Sequence, residues 1–331
     1  MSRGIPPRAA SACCWPAVTA RLVCGLIVEA PCPHNGAWLS VLVGGALSIP
    51  FMWLVCRPTR TARLPAAVLA LPLAMDAGRM LELTAFSAAY IALDHVSELL
   101  LAIPLVLSIG LCLHRGTESI GNAARLWVPI CAALIATVFV FQLPKLRPAW
   151  LAPLLGAGMA DMLLHALRTS GWIVSLFAAS VWIERPGKSH VPFRRHLFSL
   201  LLAAASAALI VALSGMMSPA HVVGPDTRSI RLDALLANGR SPMYLQLPMI
   251  VAWFIAMFNL AACQAALSME LLQLALPGAS RLACALLAGG VAVIGCMRAT
   301  PSTEWMYAGA IILISARLCM SKLMEVGRPC A

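Results

Sequence analysis

Charge is scarce in this chain. Asp, Glu, Lys and Arg make up 11% of its 331 residues, and only 13 side chains are acidic, where an ordinary soluble domain is about 25% charged. So little charge cannot cover a water-facing surface of this size, which argues against a soluble enzyme or a soluble binding module. Motifs of bond-making chemistry are missing as well: there is no P-loop, no GxSxG, no HExxH, no CxxC pair and no sustained heptad. The chain therefore reads as a non-enzyme, with no cofactor and no metal site. Its 12 cysteines lie scattered in or beside apolar runs, as Cys24, Cys112, Cys131, Cys263 and Cys284 do, and read as small hydrophobes. The first apolar run contains Arg21 and Glu29, which fits a cleavable signal peptide poorly.

Apolar surface is what the chain has in excess. Hydrophobic residues are 61% of it, and the mean hydropathy is +0.86. The formal charge of +11 comes in short clusters between apolar runs, such as "RPTRTAR" at 57–63, which is the positive-inside pattern and not a nucleic-acid groove. A bilayer core needs about 20 apolar residues per helix. Runs of that kind lie at roughly 14–31, 38–56, 64–93, 97–113, 124–143, 150–183, 197–217, 246–273, 279–297 and 304–321. The expectation is an all-α integral membrane protein of about ten transmembrane helices, one polytopic domain over 1–331.

With the N-terminus inside, inner joints hold most of the basic residues, among them Arg57, Arg60, Arg63, Arg194, Arg195 and Lys322. Outer joints hold only Lys145, Arg147, Arg228, Arg231, Arg240 and Arg298. Both termini are thus expected in the cytoplasm. The longest polar joint, about 218–246, then lies outside, and its "IRLDALL" suits either a surface helix or a partly ordered loop.

Ionisable residues inside apolar runs are costly and ask for a partner or a cavity. One group lies in "GAGMADMLLHALRTSGWI", 156–173, where Asp161, His165 and Arg168 at i, i+4 and i+7 share a helix face, with Asp161 and His165 spaced to pair. Another lies in the third run, where Asp76, Arg79 and Glu82 precede Ser87; Arg79 and Glu82 at i, i+3 can neutralise each other. Charged pairs near a span end are the structural alternative for both groups. Glu82 and His165, set deeper, point to a polar cavity.

The backbone gives a second signal. The run 150–183 is too long for one crossing, so a lead-in or a break is expected in it. Pro153, Gly156 and Gly158 open it, and Thr169, Ser170 and Gly171 interrupt it midway. In the first run "VCGLIVEAP" places Gly25 near mid-membrane. Breaks in the first and sixth of ten spans fall at corresponding places in two halves of five, the usual pointer to a transporter site. Close helix packing is the alternative reading of these glycines.

The runs "PHNGAWLSVLVGG", "HRGTESIGNAARLWVP" and "LPKLRPAWLAPLLGAGM", followed by "LPMIVAWFIAMFNLAACQAALSMELLQ" around Trp253, resemble in order and spacing the spore germination permease family. These are the B-type subunits of germinant receptors, in the amino acid, polyamine and organocation transporter superfamily. The likeness covers about residues 33–275. It implies a LeuT-like five-plus-five inverted repeat, the first repeat about 14–143 and the second about 150–321, with helices 1 and 6 broken. It also implies a protein of the spore inner membrane that senses a small germinant, typically an amino acid, beside A-type and C-type subunits.

The sequence departs from the family's habit at three places. Gly25 stands alone where Gly-x-Gly is usual, Asn122 replaces an expected arginine, and no acidic residue follows Gly171. The expected binding site comprises Gly25 and Leu26 of the first helix and Thr169, Ser170, Gly171 and Trp172 of the sixth. Glu82, Ser87 and Asn259 complete its walls, and Asp161, His165, Arg168 and Trp253 support it. Two other readings stand beside the receptor: a proton- or sodium-coupled amino acid transporter of the same fold, in which Glu82 or Asp161 titrates, and a membrane scaffold without a ligand.

Overall fold

The structure, a computed structural model, describes residues 7–29, 36–56, 63–92, 96–115, 117–152, 158–184, 193–217 and 243–295. Among these it forms nine α-helices: α1 Pro7–Val23, α2 Ala37–Val55, α3 Arg63–Ala92, α4 Glu98–Arg115, α5 Thr117–Gln142, α6 Met159–Glu184, α7 Phe193–Met217, α8 Met243–Ala275 and α9 Arg281–Gly295. Each matches one of the first nine apolar runs. The tenth run and residues 218–242 of the outer loop lie outside the described residues. Six helices (α2, α3, α5, α6, α7 and α8) are long and apolar enough to cross a bilayer, and α1, α4 and α9 contain shorter apolar stretches. No strand occurs among the described residues.

Proline stands inside six of these helices, at Pro16, Pro50, Pro72, Pro104, Pro129 and Pro248. In a soluble helix each would remove a bond and kink the chain. Within a membrane neighbouring helices and hydroxyls re-satisfy the freed groups. Hydroxyls in the apolar runs are spent in this local way: Ser108 Oγ donates to Pro104 O at 2.7 Å, Thr84 Oγ1 to Met80 O at 2.6 Å and Ser87 Oγ to Leu83 O at 2.7 Å.

The helices fall into two packed groups. α2 packs on α6 and α7; α3 packs on α8, α9 and α4. Small residues set how closely they meet, since lipid tails offer no hydrophobic driving force between helices. A Cβ on Gly44 would lie 2.6 Å from Ala166 O of α6, and one on Gly45 would lie 2.9 Å from Ala204 Cβ of α7. On the other side Gly78 of α3 faces the α9 backbone at Ala292, and Gly295 of α9 faces the α3 backbone at Met75. α1 lies between the groups and touches α5, α6, α7 and α8.

The sixth helix corrects one expectation. α6 runs unbroken from Met159 to Glu184, about 39 Å at 1.5 Å per residue. Helical geometry continues across Ser170 and Gly171, where Ser175 Oγ donates to Gly171 O at 2.7 Å. The excess length of the run is absorbed earlier, by the 3₁₀ turn Pro148–Leu151 and by Gly158, whose φ of +124° only glycine adopts freely. The reason is packing. α6 is enclosed along most of its length, and amides freed there would have no water to meet. The first helix behaves closer to expectation: at Cys24 it widens into a π-helical segment, Cys24–Glu29, that contains Gly25. Such π segments are rare and occur often at functional sites.

Candidate functional site

Two features converge on α1. The first is a buried ion pair. Arg21 Nε of α1 donates to Asp76 Oδ2 of α3 at 2.8 Å, and both residues are 0% exposed. Gln264 Nε2 of α8 donates to the same oxygen at 2.6 Å. The guanidinium carbon lies 4.2 Å from the centroid of the Trp172 ring of α6, a cation–π contact. Four helices thus meet at one ion pair. The site exists because Gly25, one turn on from Arg21, has no side chain: a Cβ there would overlap the Trp172 ring and lie 3.0 Å from Arg21 Nη1.

The second feature is a groove of about 480 Å³ between α1, α5, α7 and α8. Its walls include Trp15 and Thr19 of α1, Trp127 of α5, Ser206 of α7, and Trp253 and Asn259 of α8. The remaining lining is apolar, including Phe139, Met249 and Met257, apart from two thiols, Cys131 and Cys263, and among the described residues no charged side chain faces it. The groove is within the size range of small-molecule sites, about 300–1,000 Å³. The Trp253 indole is held by Nε1 donating to Ser87 Oγ at 3.4 Å, and Ser87 is fully buried. Thr19 Oγ1 donates to Trp15 O at 3.0 Å and lies 3.0 Å from Ser206 Oγ.

With this geometry in hand, the arrangement can be compared with solved structures. The chain is similar to Mhp1, a nucleobase-cation-symport-1 family transporter in a closed conformation with bromovinylhydantoin bound. The TM-score is 0.62 at 12% identity, over 93% of this chain and 76% of that one. It is also similar to the manganese transporter of Eremococcus coleocola in complex with an aromatic bis-isothiourea substituted compound. There the TM-score is 0.55 at 15% identity, over 92% of this chain and 74% of that one. The chain has the LeuT-like transporter fold. At these identities the likeness carries the fold alone. No protein-family model and no curated protein sequence matches the chain.

Within the LeuT-like fold the residues singled out from sequence fall in three places. Gly25 and Trp172 gather beside Arg21, where the first helix meets α6; Leu26 follows Gly25 in the π-helical segment, and Leu26 and Trp172 are both buried. Ser87, Trp253 and Asn259 belong to the groove or its support. Thr169 and Ser170 face α2 instead: Thr169 lies against Gly44, and the Ser170 and Ser48 hydroxyls meet at 3.3 Å. Gly171 is buried within the continuous helix, so it offers no freed amide to a solute.

The charged stripe of α6 does not act as one unit. Asp161 is exposed in the first turn, where the helix dipole favours a carboxylate. His165 is 7% exposed and Arg168 half-buried, and no hydrogen bond or ion pair joins Asp161 to His165. Glu82 is half-buried on α3. Among the described residues no three His, Cys, Asp or Glu side chains group to hold a metal ion.

The feature missed from sequence is the Arg21–Asp76–Gln264 cluster. Arg21 and Asp76 stood out as charged residues in apolar runs, Arg21 counting only against a signal peptide, while Gln264 was not singled out. Their separations of 55 and 188 residues left no local spacing to read.

Proposed function

We propose that this chain is the solute-binding membrane subunit of a germinant receptor, holding a small germinant in the groove between α1, α5, α7 and α8. The observation that carries the reading is that groove of about 480 Å³ in a LeuT-like fold, walled by three tryptophans and bordered by the irregular helix α1. The receptor role rests on the sequence resemblance to germination permeases. It brings with it A-type and C-type partner subunits, the spore inner membrane, cytoplasmic termini and two five-helix repeats.

Occupation of the groove would act through α1, which touches α5, α6, α7 and α8 and is tied to α3 by the ion pair. Deleting the gene in its own host tests the role. Loss of germination in response to a solute, restored by the wild-type chain and accompanied by no solute uptake in proteoliposomes, is the expected result. Normal germination of the deletion strain overturns it.

A coupled transporter is the second reading, and the Arg21–Asp76 pair is what favours it. Buried ionisable groups in membrane helices mark ion or proton pathways. On this reading the coupling role would fall to Asp76 in preference to Glu82 or the exposed Asp161. Ion-dependent solute flux that Asp76→Asn abolishes would support it.

A further inference from the structure

We infer that the solute of the groove is neutral and largely apolar, with an aromatic body and one amide-type edge that pairs with Asn259. This rests on the solute-binding reading above and replaces the amino acid expected from sequence with a different chemical class.

The argument starts from the polar groups of the groove and where their bonds go. Ala252, Ala256, Asn259 and Cys263 line it from α8, at spacings of 4, 3 and 4 that form one helix face. Asn259 presents a carbonyl acceptor beside an amide donor. It is half-buried, and among the described residues it makes no hydrogen bond. The hydroxyls of the wall and the Trp253 indole are engaged: Thr19 with Trp15 O and Ser206, Ser206 also with Ala203 O, and the Trp253 indole with Ser87. Among the described residues the Trp15 indole N–H is buried without a partner, and the Asn259 amide is the open acceptor-and-donor group of an apolar, tryptophan-rich wall. Its complement is a donor and an acceptor side by side, as on an amide, an imide or the edge of a nitrogen heterocycle.

Among the described residues charge on the solute has no partner there. Arg21 and Asp76 are buried in the protein and paired with each other, while Ala20 and Val23 of the same helix as Arg21 face the groove. A zwitterion or an ion would lose its hydration without a counter-ion in the wall. An acyl chain fills apolar space but leaves Asn259 unpaired, and three indoles suit a flat ring better.

A series of probes on one ring separates these demands: toluene, benzamide, benzoate and benzylammonium, titrated against the full chain in lipid nanodiscs by tryptophan fluorescence and equilibrium dialysis. Benzamide is expected to bind tightest, roughly tenfold better than toluene for the added hydrogen bonding. Both ions should bind at least about 100-fold more weakly than benzamide. Asn259→Leu should reduce benzamide to the affinity of toluene and leave toluene unchanged, whereas Asn259→Gln should keep part of the preference.

Equal or tighter binding of either ion overturns the inference, and so does a benzamide preference that survives Asn259→Leu. Ala132→Trp, an exposed position on the α5 wall, tests the groove itself. If an ion wins and Ala132→Trp blocks it, only the ligand class fails. If the probes bind and Ala132→Trp leaves them unaffected, or if no probe displaces a retained acyl chain, the groove is not the solute site and both readings fail.

Discussion

Replacing Asp76 with Ala removes the carboxylate that neutralises Arg21 and accepts from Gln264. Arg21 is 0% exposed, so its guanidinium would stay charged in the interior without this carboxylate. Breaking a buried pair by removing one partner costs about 3–5 kcal/mol. The cation–π contact at 4.2 Å, worth about 2 kcal/mol when desolvated, is already present and offsets none of the new loss. Arg21→Met should cost a similar amount, because Asp76 then loses the guanidinium it pairs with. The double variant Arg21→Met/Asp76→Leu behaves differently: apolar replacement of a whole buried pair is often neutral or stabilising by about 1–4 kcal/mol. It should therefore be more stable than either single variant, leaving a coupling energy of at least about 3 kcal/mol. The assay is resistance to unfolding of the purified chain in mixed micelles over an SDS titration, with the four members of the cycle compared under one condition. Losses that add within about 0.5 kcal/mol, the behaviour of independent sites, would refute the claim that α1 is tied to α3 through this pair.

Three further outcomes test the packing. Gly78→Ala should destabilise by about 1–3 kcal/mol, because its Cβ would run into the α9 backbone at Ala292, which cannot move as a side chain can. Gly290→Ala, with nothing within 4 Å, should instead gain about 0.5–1 kcal/mol of helix propensity; the same SDS titration reads both, and equal effects would contradict the helix contact. Gly25→Ala should lower stability and disturb the Trp172 environment, a change in near-ultraviolet circular dichroism that Trp172→Phe in the same chain should diminish. Trp253→Phe, which removes the 3.4 Å bond to Ser87, should cost no more than about 1 kcal/mol, while groove probes lose affinity; a large stability loss with intact probe binding would show that the indole serves packing only.

The sequence by itself determined that this is a membrane protein and where its helices lie. Scarce charge and runs of about 20 apolar residues are local properties, fixed by the thickness of a bilayer and the rise of a helix. The irregularity at Gly25, the overlong run before α6 and the groove residues Trp253 and Asn259 were legible for the same reason: each stands out against its immediate neighbours. What only the tertiary structure decided was how these local signals combine. Gly171 looked like a break, but enclosure of α6 keeps the helix continuous and moves the irregular backbone to Gly158. Asp161 and His165 had the spacing of a pair, but one is exposed and the other buried. Arg21 found its partner 55 positions along the chain at Asp76, whose carboxylate also accepts from Gln264 a further 188 positions on. A buried charge takes whatever counter-charge the fold brings within about 3 Å, and distance in space is the one quantity that spacing along a chain does not carry.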